Sequence, residues 1–205
     1  PGQTFGAAYQ VADALGETTR MTYTTANWRM PERNVVNIKN CSFRIVADVT
    51  VDNGTIGVIA CQGGNMAGWS LYLDDRSHAI FHYNWFGHEH YVARSRAPIP
   101  AGRRTVLVDF ASDGGFGAGG DVVLSVGGAP VAATRIERTV PVVFSMSGET
   151  FDVGLDSGSV VGPYPHVYRF TGTIHTVMLE RLSEPSPEIK AMIADAEFRA
   201  SLAVQ

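Results

Sequence analysis

The clearest patterning lies between Cys41 and Val51, where Phe43, Ile45, Ala47, Val49 and Val51 alternate with Arg44, Asp48 and Thr50. A period of two sends successive side chains to opposite faces, so this segment reads as a half-buried strand of an antiparallel sheet. Asp52-Asn53-Gly54 follows, and Asn-Gly supplies the positive φ angles of a tight turn, so Thr55–Gln62 is expected to pair back as a hairpin. Similar reasoning predicts strands at Met21–Trp28, Trp69–Leu73, His78–Trp85, Tyr91–Ser95, Thr105–Phe110, Val122–Val126, Val131–Ala133, Val142–Ser145, Phe151–Gly154 and Gly172–Arg181. Turn residues separate them: Asp74-Asp75-Arg76-Ser77, Pro98 and Pro100, the five glycines of Ser112–Gly120, and Gly127-Gly128. No strand alternates with a helical pattern, which excludes a βαβ fold. About a dozen short strands with frequent turns fit an all-β sandwich of two antiparallel sheets, of the lectin or jelly-roll kind.

The pattern changes at Ser183. Ser186 is a candidate N-cap with Pro187 behind it, and Ile189, Met192, Ile193, Ala196 and Ala200 fall on one helical face. The expected organisation is a linker or extended arm over 1–20, a sandwich over 21–182 and a C-terminal amphipathic helix over 183–205. So short a helix is marginal alone in water, so its apolar face is expected to dock on the sandwich, on a neighbouring domain, or on a second copy in self-association.

The composition, 45% hydrophobic and 18% charged in 205 residues, is that of one globular domain with an appendage. The net charge is −4 and the densest basic spots are Arg94-Ser-Arg96 and Arg103-Arg104, so nucleic acid is not an expected partner. No apolar run approaches the ~20 residues of a membrane span, and no basic-then-apolar leader is present. The chain begins at Pro1 without Met, so an upstream segment is expected. If the hairpin at Asp52–Gly54 forms, Cys41 and Cys61 lie on adjacent strands; two buried free thiols are expected, with a disulfide as the alternative.

Candidate chemistry is sparse. Trp69, Tyr72, Tyr83, Trp85, Phe86 and Tyr91 form an aromatic band. Strand parity places Phe81, Tyr83 and Trp85 on one face, expected to be core, and His78, Ile80 and His82 on the other. Trp69, Tyr72, His88, His90 and Tyr91 are the candidate ligand-binding residues, because rings that stack on a sugar and polar tips that bond its hydroxyls are what a lectin needs. The spacing of His88-Glu89-His90 suits metal ligation on a strand, and His78 and His82 share another strand face. Zinc needs a third ligand and a second shell, however, and no His-Glu-x-x-His or paired Cys motif is present, so rim histidines and no metal site are expected. Asp109, Asp113, Asp121, Asp152 and Asp156 lie near glycine-rich loops, where calcium ligation and turn capping compete; turn capping is expected. Glu149-Thr-Phe-Asp152 has the wrong spacing for the paired carboxylates of a glycosidase, and no Gly-x-Ser-x-Gly is present, so no catalytic residue is expected.

Five segments, in order and spacing, carry a resemblance. They are Val35-Val-Asn-Ile-Lys-Asn-Cys-Ser-Phe-Arg-Ile, Gln62-Gly-Gly-Asn-Met-Ala-Gly-Trp-Ser-Leu-Tyr-Leu, Tyr83-Asn-Trp-Phe-Gly-His-Glu-His-Tyr, Arg135-Ile-Glu-Arg-Thr-Val-Pro and Phe170-Thr-Gly-Thr-Ile. Together they resemble the C-terminal domain of large bacterial arylsulfatases over residues 31–181. The resemblance implies a concanavalin-like sandwich fused behind a sulfatase domain that hydrolyses sulfate esters with formylglycine and a divalent metal, usually calcium. None of that chemistry carries over, because neither Cys41 (before Ser-Phe-Arg) nor Cys61 (before Gln-Gly-Gly) fits Cys-x-Pro-x-Arg. The expectation is therefore a non-catalytic accessory domain without a cofactor of its own. Its expected partner is the catalytic sulfatase domain of the parent chain, in the bacterial cytoplasm or periplasm. A stand-alone carbohydrate-binding, lectin-like module is the alternative.

Overall fold

The computed structural model describes residues 18–145, 148–183, and Pro187, Ala191, Met192 and Asp195. Eleven strands make the described fold: β1 (Arg20–Tyr23), β2 (Phe43–Val51), β3 (Gly57–Gly63), β4 (Gly68–Leu73), β5 (Ala79–Trp85), β6 (Glu89–Arg94), β7 (Gly102–Ser112), β8 (Ala118–Val126), β9 (Ala129–Arg138), β10 (Phe151–Val153) and β11 (Thr173–Arg181). They form a six-stranded sheet A in the order β1-β11-β2-β7-β8-β9 and a five-stranded sheet B in the order β10-β3-β4-β5-β6. Every strand pairing is antiparallel, and the two sheets enclose one main core. This is the two-sheet jelly-roll sandwich that the alternation predicts, concanavalin-like as the resemblance implies.

Strand β2 keeps its period of two, with Phe43, Ile45, Ala47, Val49 and Val51 buried and the intervening residues half-buried. Its inward side chains meet Val106, Val108 and Phe110 of β7 and face Trp69, Leu71, Phe81 and Phe151 of sheet B across the core. Burial of this many aliphatic and aromatic groups, at about 1.5–3 kcal/mol each, is the main favourable term of the fold. The β3–β4 turn explains one glycine-rich segment. A Cβ on Gly63 would stand 2.1 Å from the Ala67 carbonyl oxygen, and one on Gly68 would stand 2.2 Å from that of Gln62.

Four expectations are corrected. Asp52-Asn53-Gly54 does not make a hairpin within one sheet. Both edges of β2 are taken by β7 and β11, so the chain turns the corner into sheet B, where β3 pairs with β4 and β10. Cys41 and Cys61 are therefore not on adjacent strands, and both are buried thiols that share no disulfide. The expected strand Val142–Ser145 is absent, because the Phe144 and Ser145 amides donate to the Glu32 carboxylate (2.9 and 3.0 Å) rather than to a ladder. The first strand stops at Tyr23, where Asn27 turns the chain by accepting from the Thr24 amide (2.8 Å) and donating its own amide back to the Thr24 carbonyl. Finally, residues at the end of the expected 1–20 arm belong to the sandwich: Arg20 opens β1, and the Thr19 carbonyl accepts from the Arg181 amide.

Most of the arm and of the C-terminal helix lie outside the described residues, Ile189 and Ile193 among them. Pro187, Ala191, Met192 and Asp195 are helical and exposed. No described helix is long and apolar enough to cross a membrane.

The segment 154–171, between β10 and β11, folds over the outer face of sheet B. It builds a second apolar cluster in which Val161 and Tyr164 pack on Val58, Cys61, Tyr72 and Ile80. Strands β3, β4 and β5 are thus covered on both sides, which is why their residues are buried without alternation apart from Trp85 at the end of β5.

Candidate functional site

The five candidate ligand residues do not form one site. Trp69 is fully buried in the main core, where its ring lies near Phe81 and Phe151 and its Nε1 donates to Gln62 Oε1 at 3.2 Å. Tyr72 points the other way and lies under segment 154–171, edge-on to Tyr164 at 4.8 Å; burial pushes its hydroxyl up to about 12. Neither ring offers a free face, so both are corrected to structural roles. Their separation follows from parity: residues three apart on a strand face opposite sides.

His88, His90 and Tyr91 do come together, on the β5–β6 hairpin. His88 sits exposed on the turn, His90 is exposed on the outer face, and Tyr91 is half-buried on the inner one. Tyr91 bonds through its hydroxyl to Glu89, and Glu89 pairs with Arg138 of β9 (3.0 Å). The Arg138 guanidinium lies 4.5 Å from the centre of the Trp85 ring, a cation–π contact that ties the edge of sheet B to that of sheet A. Phe86 stands edge-on to Trp85 at 5.3 Å, and His88 lies 6.5 Å away. The expected core face of β5 is thus buried at Phe81 and Tyr83 and reaches the surface at Trp85, which is half-buried. Sequence reasoning missed Arg138 and Glu89. Arg138 lies inside the Arg135–Pro141 segment, but nothing local to it announces a ring on another sheet.

The rest of this end is locked by turn hydrogen bonds. Asn84 Nδ2 donates to the carbonyls of Gly64 (3.1 Å) and Asn65 (3.0 Å), its Oδ1 accepts from the Gly87 amide (2.8 Å), and the Val140 amide donates to the Tyr83 hydroxyl (2.8 Å).

On the outer face of sheet B the register aligns Asp152, Cys61, Ser70 and His82 in one row across β10, β3, β4 and β5. Segment 154–171 is pinned to this row. The Cys61 thiol donates to the Leu155 carbonyl, Ser157 donates through its amide and hydroxyl to Asp152, and Tyr164 bridges Ser70 (2.9 Å) and Asp156 (2.7 Å). Cys61, Asp152 and Asp156 have ligand atoms within 4.8 Å of one another, a distance a metal could bridge. Their hydrogen bonds argue for another role: Asp152 also caps the Arg29 amide, and Asp156 accepts from the Val161 amide (3.0 Å). Burial pushes the Cys61 thiol well up, Asp156 and Asp152 adding to it, and burial raises Asp156 too. Asp152 and Asp156 act as turn caps, as expected. Asp109, Asp113 and Asp121 lie elsewhere, in ion pairs with Arg44 and Arg135.

The other histidine pair also separates. His78 faces Asp74 at 3.6 Å, whereas His82 shares a 2.9 Å hydrogen bond between its Nε2 and His90 Nδ1. His82 is buried, and burial together with His90 pushes it down to about 4.

No protein-family model matches this chain, and no curated protein matches it. Among solved structures it is similar to the leech intramolecular trans-sialidase complexed with 2,7-anhydro-Neu5Ac, with 14% identity over 87% of this chain and 28% of that one, and a TM-score of 0.54. It is also similar to the CBM40 of the Ruminococcus gnavus IT-sialidase bound to α2,3-sialyllactose (16% identity, 76% and 83% covered, TM-score 0.49). A third similarity is to mouse laminin α1 domains LG4-5 (14% identity, 72% and 39% covered, TM-score 0.48). This chain spans only 28% of the leech enzyme, and at such identities the likeness is one of fold alone, an antiparallel two-sheet β sandwich.

Proposed function

We propose that this chain is a non-catalytic, lectin-like module that binds carbohydrate at the β5–β6 rim. The observation that carries the reading is the half-buried Trp85 ring, set among Arg138, Glu89, Tyr91 and the exposed His88. An apolar ring beside charge-assisted donors and acceptors is the combination that grips the apolar face and the hydroxyls of a sugar. The Cys61 thiol is buried and held protonated, which removes it as a nucleophile. The leech structure was solved with a sialic-acid derivative, which puts sialylated glycans first in a binding panel. The test is calorimetric titration of that panel against the parent chain and His88→Ala, an exposed turn position. Binding weakened in the variant supports the reading; no binding of any glycan at millimolar concentration removes it.

A second reading, the accessory domain of an arylsulfatase, draws on one specific observation. Three of the resembling segments, 62–73, 83–91 and 135–141, are bonded to one another through Asn84, Gly64, Tyr83, Val140, Trp85 and Arg138. The shared residues thus include a scaffold at one end of the sandwich, the kind of feature a domain keeps when it packs on a catalytic neighbour. Sequence upstream of Pro1 decides it. A Cys-x-Pro-x-Arg or Ser-x-Pro-x-Arg domain there supports the reading, and any other domain removes it.

A further inference from the structure

We propose that the His82–His90 pair is an acid-sensitive latch, holding segment 154–171 on sheet B at neutral pH and releasing it on acidification. At Gly162 the segment lies directly against His82: a Cβ there would stand 2.9 Å from His82 Nδ1. His82 is 3% exposed, its Nε2 is engaged with His90 Nδ1, and its Nδ1 has no hydrogen-bond partner. One bond between two imidazoles needs one N–H and one lone pair, which a neutral pair supplies. A proton added to His82 places hydrogen on both of its nitrogens. Nδ1–H then faces Gly162 without an acceptor, and protonation of His90 as well sets two donors against each other. Both losses disappear when the segment lifts and water reaches the ring.

The other groups around His82 offer no relief. Ser70 and Tyr72 on β4 and Cys61 on β3 are neutral, and the Tyr164 hydroxyl from the covering segment is taken up by Ser70 and Asp156. Asp156 is further engaged by the Val161 amide, and Arg94 and Asp74 pair with each other near the start of β5. His166 and Arg169 lie exposed on the segment itself. Burial and His90 both disfavour the charged form of His82, in agreement with the geometry.

Cys61 reports the state of the latch, because its thiol is buried against Leu155 of the segment, whereas Cys41 is buried away from sheet B's outer face. The experiment measures modification of both thiols by 4,4′-dithiodipyridine from about pH 7 down to about pH 4.5, each rate divided by that of the unfolded chain at the same pH. Peptide mass spectrometry assigns the modified residue. The corrected Cys61 rate is expected to rise roughly tenfold for each pH unit below the ordinary histidine value while Cys41 stays protected. In His82→Gln, neutral at every pH, the rise is expected to vanish; His82→Asn serves the same purpose should that variant fail to fold. A flat Cys61 rate, Cys41 rising in step with Cys61, or acid-induced exposure surviving in the variant would each overturn the latch.

Discussion

Replacing Gly162 by alanine tests how closely segment 154–171 lies on sheet B. On chain entropy alone, Gly→Ala at a compatible position stabilises by about 0.4–1 kcal/mol. Packing pushes the other way. The new Cβ would stand 2.6 Å from Tyr164 Cε1 and 2.9 Å from His82 Nδ1. Neither is the loose end of a flexible chain: Tyr164 is stacked on Tyr168 (5.6 Å) and tied to Ser70 and Asp156, and His82 is tied to His90. Overpacking of this kind costs roughly 1–3 kcal/mol, so the net expectation is destabilisation by about 1–2 kcal/mol. Urea unfolding followed by tryptophan fluorescence gives the equilibrium value, and Cys61 reactivity at neutral pH is expected to increase because the strain is confined to the segment. An alanine variant as stable as the parent, with Cys61 equally protected, would refute the close packing on which the account of this face depends.

Tyr83→Phe removes the acceptor of the buried Val140 amide and leaves the ring in place, so a loss of about 1–3 kcal/mol is expected in urea unfolding; a neutral result would mean that water reaches Val140. Acid should also lower global stability through His82. Its folded value, about 4, lies below the ordinary 6.5, so its contribution is intact above pH 6.5 and is lost as pH falls towards 4. The full loss is about 3 kcal/mol, capped by the free energy of lifting the covering segment. Asp156 acts in the opposite direction, because its folded value is raised and its protonation favours the folded state. Melting temperatures across that range in the parent and in Asp156→Asn separate the two; a parent that melts higher at the acid end would contradict the dominance of His82.

Much of the sandwich was legible because strands with one wet face announce themselves. Phe43 to Val51 could be nothing else, and the Gly127-Gly128 turn between β8 and β9 falls where its glycines are. Asn53-Gly54 misled because turn chemistry says that a chain reverses, not which sheet receives it; that depended on β7 and β11, both distant in sequence. The covering segment was invisible to periodicity. Its trace lay in the wrong place: Val58, Cys61, Tyr72 and Ile80 are apolar on the face that should have been polar, and Tyr164 and Tyr168 supply the matching rings. The candidate site was half legible. Strand parity alone sets Trp69 against Tyr72 and His90 against Tyr91, whereas the pairing of Trp85 with Arg138 joins two sheets and leaves no local signal.

The central claim is that the β5–β6 rim binds carbohydrate without catalysis. Amide and side-chain NMR shifts during titration with sialylated, neutral and sulfated oligosaccharides test it most directly, because they report binding and location together. The account predicts saturable shifts centred on Trp85, His88, Tyr91 and Arg138, with the oligosaccharide recovered unchanged. Shifts confined to the outer face of sheet A, none at millimolar glycan, or cleavage of the sugar or its sulfate ester would contradict it.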